Sequence, residues 1–208
     1  MKVAVIGANG KAGRLIVAEA VARGLEVTAV VRGENHSAAQ QVLKKDLFDL
    51  TKADLAGFDV VIDAFGTFTP ETVSQYITSV QHLCDVLSGT ETRLLIVGGA
   101  GSLYTDDSLS VQLVDTPDFP AEYYLVAKSM AESLAKLRQR DDVKWTFVSP
   151  AALFDPEGAK TGAYRLAGEV FSVNEKGESY VSYADYAIAM IDEALNGKHI
   201  RERISVLS

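Results

Sequence analysis

Val3-Ala-Val-Ile-Gly7-Ala-Asn-Gly10-Lys-Ala-Gly13 is the stretch that decides the fold of this chain. A short apolar, β-prone run enters a glycine-rich turn, and apolar positions at helical spacing follow. The stretch reads as strand, turn and helix, with its glycines spaced G-x-x-G-x-x-G. A helix N-terminus carries unpaired N–H groups and a partial positive charge, which suit a pyrophosphate. The anion reaches that backbone only where no Cβ stands in the way. A glycine motif informs only in context, and here the strand before and the helix after are both present. The alternative is a tight strand-to-helix turn with no ligand.

Composition narrows the class. The 208 residues are 48% hydrophobic, enough for one sizeable core, so a single domain over residues 1–208 is expected. No apolar run approaches the ~18 residues that span a bilayer, so no membrane partner is expected. The chain opens on a strand rather than on a signal-peptide pattern, which predicts a cytoplasmic protein. Cys84 is the only cysteine, which excludes an internal disulfide and a cysteine metal cluster; no metal is expected. The net charge of −8 argues against a nucleic-acid partner. A small-molecule partner is expected, with the protein a monomer or homodimer.

Reading along the chain, Lys11–Arg23 is the first helix, with Leu15, Ile16 and Ala22 inward and Arg14, Glu19 and Arg23 toward water. Gly24 closes it. The apolar run Glu26–Val31 is a strand buried on both faces. Arg32 follows, where an acidic residue favours a free ribose 2′-hydroxyl and an arginine favours a 2′-phosphate. No acid occurs before Glu34, so NADP(H) is favoured over NAD(H), unless Arg32 is simply a solvated surface residue. Gln41–Lys45 is a short strand. Asp46 is either a contact for an adenine amino group or a turn cap. Thr51–Ala56 is a short helix and Phe58–Ala64 a strand. The exit loop Phe65-Gly66-Thr67 belongs beside the pyrophosphate, since ligands sit at the carboxyl ends of such strands. Thr69 and Pro70 read as the cap and first residue of a long helix. On that helix Cys84 is a core residue and His82 faces outward. Thr92–Val97 is a strand, residues 104–121 are a long polar loop, Glu122–Arg140 is a helix and Lys144–Ser149 a strand. Residues 151–182 read as an irregular substrate-side insertion with short strands near Gly168–Val173 and Glu178–Val181. Tyr183–Asn196 is a last helix closed by Gly197, and Ile200–Leu207 a final strand. This alternation predicts an α/β, doubly wound, mostly parallel sheet with helices on both faces.

Tyr124 and Lys128 lie four apart on a predicted helix and share a face. An ammonium beside a phenol favours the phenolate, so such a tyrosine can exchange a proton with a carbonyl or alcohol oxygen. Ser102, after the fifth strand, supplies a hydroxyl for the substrate oxygen. Against this, Tyr and Lys at this spacing occur on many helices, Tyr123 competes, and Ser102 can be a turn residue.

The chain resembles an atypical short-chain dehydrogenase/reductase, and within that group the NAD(P)H-binding, NmrA-like proteins labelled NADH-flavin reductases. The resemblance rests on Gly7–Gly13, Asp63-Ala-Phe-Gly66, Val97-Gly-Gly-Ala-Gly-Ser-Leu103, Val148-Ser-Pro-Ala151 and Gly177–Ala187. It implies a Rossmann fold of strand order 3-2-1-4-5-6, with a further strand at the edge. It implies cofactor contacts at Gly7, Asn9, Gly10, Lys11, Gly13, Arg32, Asp46, Ala64, Phe65 and Gly66. Lys128 would hold the nicotinamide ribose and Pro150 would lie near the nicotinamide. The expected function is an NAD(P)H-dependent oxidoreductase passing hydride to a flavin, quinone or carbonyl compound, with Tyr124, Lys128 and Ser102 as catalytic residues. The alternative is an NAD(P)-binding redox sensor with little catalysis. A nucleotide-sugar epimerase or dehydratase uses the same pair, but residues 151–208 leave little room for its substrate domain.

Overall fold

Strand β1 (Lys2–Ile6) sends Val3 and Val5 into one apolar core and Ala4 and Ile6 into another. A strand buried on both faces needs a layer of helices on each side. The computed structural model, which describes residues 1–208, shows that arrangement. The elements following β1 are α1 (Lys11–Ala22), β2 (Glu26–Val31), β3 (Gln41–Lys44), α2 (Lys52–Leu55), β4 (Val60–Asp63), α3 (Gln75–Leu87) and β5 (Arg93–Val97). Next come α4 (Tyr124–Leu137), β6 (Lys144–Pro150), β7 (Leu153–Asp155), β8 (Arg165–Ala167), β9 (Tyr180–Ser182), α5 (Tyr183–Asn196) and β10 (Glu202–Leu207).

The main sheet has the order β3-β2-β1-β4-β5-β6-β10-β8. Every neighbour in it pairs in parallel except β8, which runs antiparallel to β10. Helices α1 and α5 pack together on one face, where Ile16, Val17, Tyr186, Met190 and Ile191 meet Val3 and Val5. Helices α3 and α4 cover the other, where Leu83, Leu87, Leu134 and Trp145 meet Ala4 and Ile6. The fold is the doubly wound Rossmann type that the alternation predicts. No helix is long and apolar enough to cross a membrane.

Several local expectations need correction. The turn at Thr69 forms, its carbonyl accepting the N–H groups of Thr72 and Val73, but the helix does not propagate from it and begins at Gln75. Thr69 instead shares a hydroxyl hydrogen bond with Thr72 at 2.6 Å. The helix expected from Glu122 opens as a 3-10 turn at Ala121–Tyr123 and becomes α-helical at Tyr124. His82 does not face outward; its Nε2 lies 3.0 Å from the Leu50 carbonyl. In the insertion, the strand expected near 178–181 forms as β9, the one expected near 168–173 does not form, and β7 and β8 form where none was expected, β7 pairing with β9 in a small separate sheet. Glu19 is buried instead of facing water, because Lys160 of the insertion and Arg23 close over its carboxylate. Its carboxylate takes Arg23 Nε at 2.8 Å and Lys160 Nζ at 2.6 Å.

A second buried carboxylate ties the amino ends of the strands to α5. Glu193, with 3% of its side chain exposed, accepts from Arg93 Nη2 at 2.6 Å and from His199 Nδ1 at 2.6 Å. Burial pushes the Glu193 pKa up, but the hydrogen bonds from His199 and Arg93 outweigh it and hold the group below its ordinary value. A depressed acid contributes stability above its unfolded pKa and loses it as pH falls through the folded one. Glu193→Ala leaves Arg93 buried without a counter-charge and is expected to lower stability by about 3 kcal/mol at pH 7. Urea unfolding should show the gap between variant and wild type narrowing below about pH 4.5 as the wild-type carboxylate takes up its proton.

Candidate functional site

A crevice of about 510 Å³ opens at the carboxyl ends of β1, β2 and β4. Its walls are Gly7, Asn9 and Gly10 from the first turn, Arg32 and Gly33 after β2, Lys45–Phe48 after β3, and Ala64–Gly66 after β4. The glycines fit for two separate reasons. Gly7 has φ +71°, and a Cβ there would stand 2.6 Å from the Ala64 carbonyl oxygen. Gly13 lies inside α1, where a Cβ would stand 2.2 Å from the Gly7 carbonyl oxygen. Gly13 is therefore a packing residue behind the turn and not part of the crevice lining. The Gly10 N–H closes the turn onto the Gly7 carbonyl at 2.8 Å.

The other walls are held by side chains. Asn9 Nδ2 donates to the Glu34 carbonyl at 2.7 Å, and its Oδ1 accepts the His36 N–H at 2.7 Å, pinning the loop that follows Arg32. Arg32 itself is exposed at the crevice edge. Asp46 caps a short 3-10 turn, its Oδ1 accepting the Phe48 N–H at 3.0 Å, while also lining the crevice. The turn-cap reading of that residue is the one observed. Behind Ala64–Gly66, buried Asp63 accepts the Phe65 N–H at 3.0 Å. Tyr76 OH donates to the Thr67 carbonyl at 2.9 Å and accepts the Thr67 N–H at 3.1 Å. Lys11 is exposed on the first turn of α1, outside the lining.

The residues expected to be catalytic stand apart from this crevice. Tyr124, the first residue of α4, lines a separate groove of about 500 Å³ with Val114–Pro117, Phe119 and Ala121. Lys128 Nζ lies 2.6 Å from Asp115 Oδ1, and that hydrogen bond raises the lysine's pKa. Ser102 is 2% exposed and its hydroxyl has no hydrogen-bond partner, while its carbonyl accepts from Arg203 Nη2 at 3.3 Å. The turn carrying Ser102 abuts α4, since a Cβ on Gly101 would stand 2.7 Å from Ala127 Cβ. Pro150 is buried at the carboxyl end of β6.

Sequence reasoning missed Lys45, Phe48 and Gln75, which also line the crevice. Lys45 Nζ pairs with Asp54 at 2.7 Å, and this bond holds the Asp54 carboxyl down at about 2. The Asp46-Leu47-Phe48 turn next to the third strand was the available signal for the first two. Gln75 carries none, because the start of α3 was read too early.

The chain matches a protein-family model described as NAD(P)H-binding over residues 7–195. It is 47% identical to the uncharacterised protein YwnB of Bacillus subtilis, an alignment covering 100% of this chain and 99% of the relative. Among solved structures it is similar to a "putative NADH-flavin reductase" of Streptococcus pneumoniae, at 57% identity and TM-score 0.98, covering 100% of this chain and 99% of the other. It is also similar to a "putative epimerase" of Bacteroides thetaiotaomicron, at 35% identity and TM-score 0.86, covering 99% and 96%.

The close backbone packing at the first turn makes an unusual stability prediction. Replacing a glycine inside a helix by alanine ordinarily gains about 1 kcal/mol. Gly13→Ala should instead lose about 2 kcal/mol, since its methyl meets backbone that cannot move aside. Urea unfolding at pH 7 measures it, and a stabilised variant would mean that the turn is free to relax.

Proposed function

The chain belongs to the NAD(P)H-binding family, and we propose that it is an NAD(P)H-dependent oxidoreductase that reduces a small flavin, quinone or carbonyl acceptor. The observation that carries this reading is the crevice in which a positive-φ glycine at a helix N-terminus faces the exit loop of β4 with no side chain between them. The fit to a dinucleotide is chemical as well as steric. The turn offers backbone N–H groups and the dipole of α1 to a pyrophosphate. Gly7, Asn9, Gly10 and Ala64–Gly66 take the phosphates and the adjoining ribose, with Lys11 adding charge at the rim and Gly13 keeping helix and turn in contact. Asp46 stands at the adenine end.

Arg32 marks the preference. Exposed at the crevice edge, it offers a guanidinium to a ribose 2′-phosphate, and this favours NADP(H) over NAD(H). When bound, the cofactor supplies the hydride. In the chain's own part of the chemistry, Lys128 exchanges its bond with Asp115 for the nicotinamide ribose and Pro150 borders the ring. Tyr124 holds the proton for an acceptor oxygen, and Ser102 is the candidate partner for that oxygen.

A second reading is favoured by one observation. Ser102 is buried, Tyr124 lines a groove distinct from the crevice, and Lys128 is paired with Asp115 of that groove. A redox sensor needs the crevice alone, and direct hydride transfer to a flavin needs no acid from the protein. NADPH oxidation against a panel of flavins, quinones and carbonyl compounds separates these. Turnover of carbonyl compounds that falls at least about 100-fold in Tyr124→Phe supports the acid role. Flavin turnover unchanged in that variant supports direct transfer, and tight binding with no turnover supports the sensor. Arg32→Ala should weaken NADPH binding by about tenfold while leaving NADH nearly unchanged. Equal loss for both nucleotides contradicts the assigned preference.

A further inference from the structure

Asp63 stands one residue before the crevice wall. It ends β4, is 3% exposed, and accepts the N–H of Phe65, whose residue lines the crevice. On its other side lies a small cavity of about 10 Å³, shared with Phe65, Tyr76, Ser79 and Ser133. The titratable groups that interact with Asp63 are Tyr76 and Cys84, both on α3. From α4 it faces Met130 and Ser133, from β5 Ile96 and Val97, and from β6 Phe147. No lysine, arginine or histidine lines that cavity. A carboxyl buried without a cation is held beside a site suited to an anion, and burial pushes its pKa up to about 6.

We propose that Asp63 is the positioning residue of the dinucleotide site: it fixes the Ala64–Gly66 wall through the Phe65 N–H, and its proton is exchanged with solvent as the pyrophosphate binds and leaves. The proposal rests on the crevice being the dinucleotide site. A protonated and an ionised carboxyl both offer Phe65 an acceptor oxygen, so the wall stands in either state. Only the ionised form repels a pyrophosphate on the far side of that wall. Binding therefore draws a proton onto Asp63, and by linkage the affinity rises as pH falls toward 6.

Calorimetric titration with NAD+ between pH 5.5 and 8.5 tests this. NAD+ is chosen because a 2′-phosphate would itself titrate near pH 6. Wild type is expected to bind several-fold more weakly at pH 8 than at pH 6, and to take up protons on binding when buffers of different ionisation enthalpy are compared. Asp63→Asn keeps the acceptor and removes the charge. It should bind with little pH dependence, take up no proton, and bind more tightly than wild type at pH 8. Asp63→Ala also removes the charge but leaves the Phe65 N–H unpaired, and it should bind about tenfold more weakly than Asp63→Asn across the range. His36, on the loop held by Asn9, is common to all the proteins, so only the difference between profiles belongs to Asp63.

An Asp63→Ala protein that melts like wild type and binds as well as Asp63→Asn overturns the positioning role. An Asp63→Asn protein with the wild-type slope and proton uptake overturns the linkage, and decides the matter even where Asp63→Ala fails to fold. Wild type that binds neither NAD+ nor NADP+, or Gly7→Val that binds NAD+ as well as wild type, instead overturns the crevice assignment itself.

Discussion

Backbone meets backbone at the first turn, and the rest of the structure depends on that contact. Gly7 lies against the Ala64 carbonyl and Gly13 against the Gly7 carbonyl, with no room for a Cβ at either place. Two consequences follow from one constraint. Helix α1 is drawn close to β1, so Ile16 and Val17 reach the sheet and the α1–α5 core can close. The exit of β4 is drawn beside the exit of β1, and the crevice opens between them. Stability and site are the same geometry seen from inside and outside.

The polar interior is organised around a few carboxylates that join elements distant in sequence. Glu193 ties α5 to β5 through Arg93. Glu19 joins α1 to the insertion through Lys160. Glu169, just after β8, is shared by Arg138 beyond α4 and Arg203 of β10. Such pairs contribute little net stability over apolar packing, but they disfavour wrong arrangements because a misplaced partner leaves a charge buried alone. Asp63 differs from all of them in having no cation among the residues that line its cavity.

The sheet was legible in the sequence because buried parallel strands are near-continuous apolar runs and glycines punctuate them. Lys2–Ile6, Glu26–Val31 and Thr92–Val97 could be read almost to the residue. The glycine turn, Arg32, Asp46 and the Ala64–Gly66 loop, all read from local pattern, do come together in one crevice. What could not be read depends on tertiary contact. Glu19 looks like a surface residue until Lys160 arrives over it, 141 positions away. The insertion strands are three residues each, too short for periodicity to register. Tyr124 and Lys128 share a helix face as their spacing requires, but spacing says nothing of Asp115, which occupies the lysine. Motif spacing fixes neighbours within an element; it does not fix what that element faces.

Strand β10 lies inside the sheet, paired on one side with β6 and on the other with β8. Both partners precede it in the chain, and its own residues, 202–207, come after α5. During vectorial synthesis β6 emerges from the ribosome with one edge uncovered, and β8 emerges with no strand to pair with. Neither can be satisfied until residues 202–207 have cleared the exit tunnel. The nascent chain therefore carries an open edge of β6 through the synthesis of the whole insertion, an interval in which unpaired strand edges are exposed to other chains. The antiparallel β8 then acts as a latch, covering the outer edge of β10.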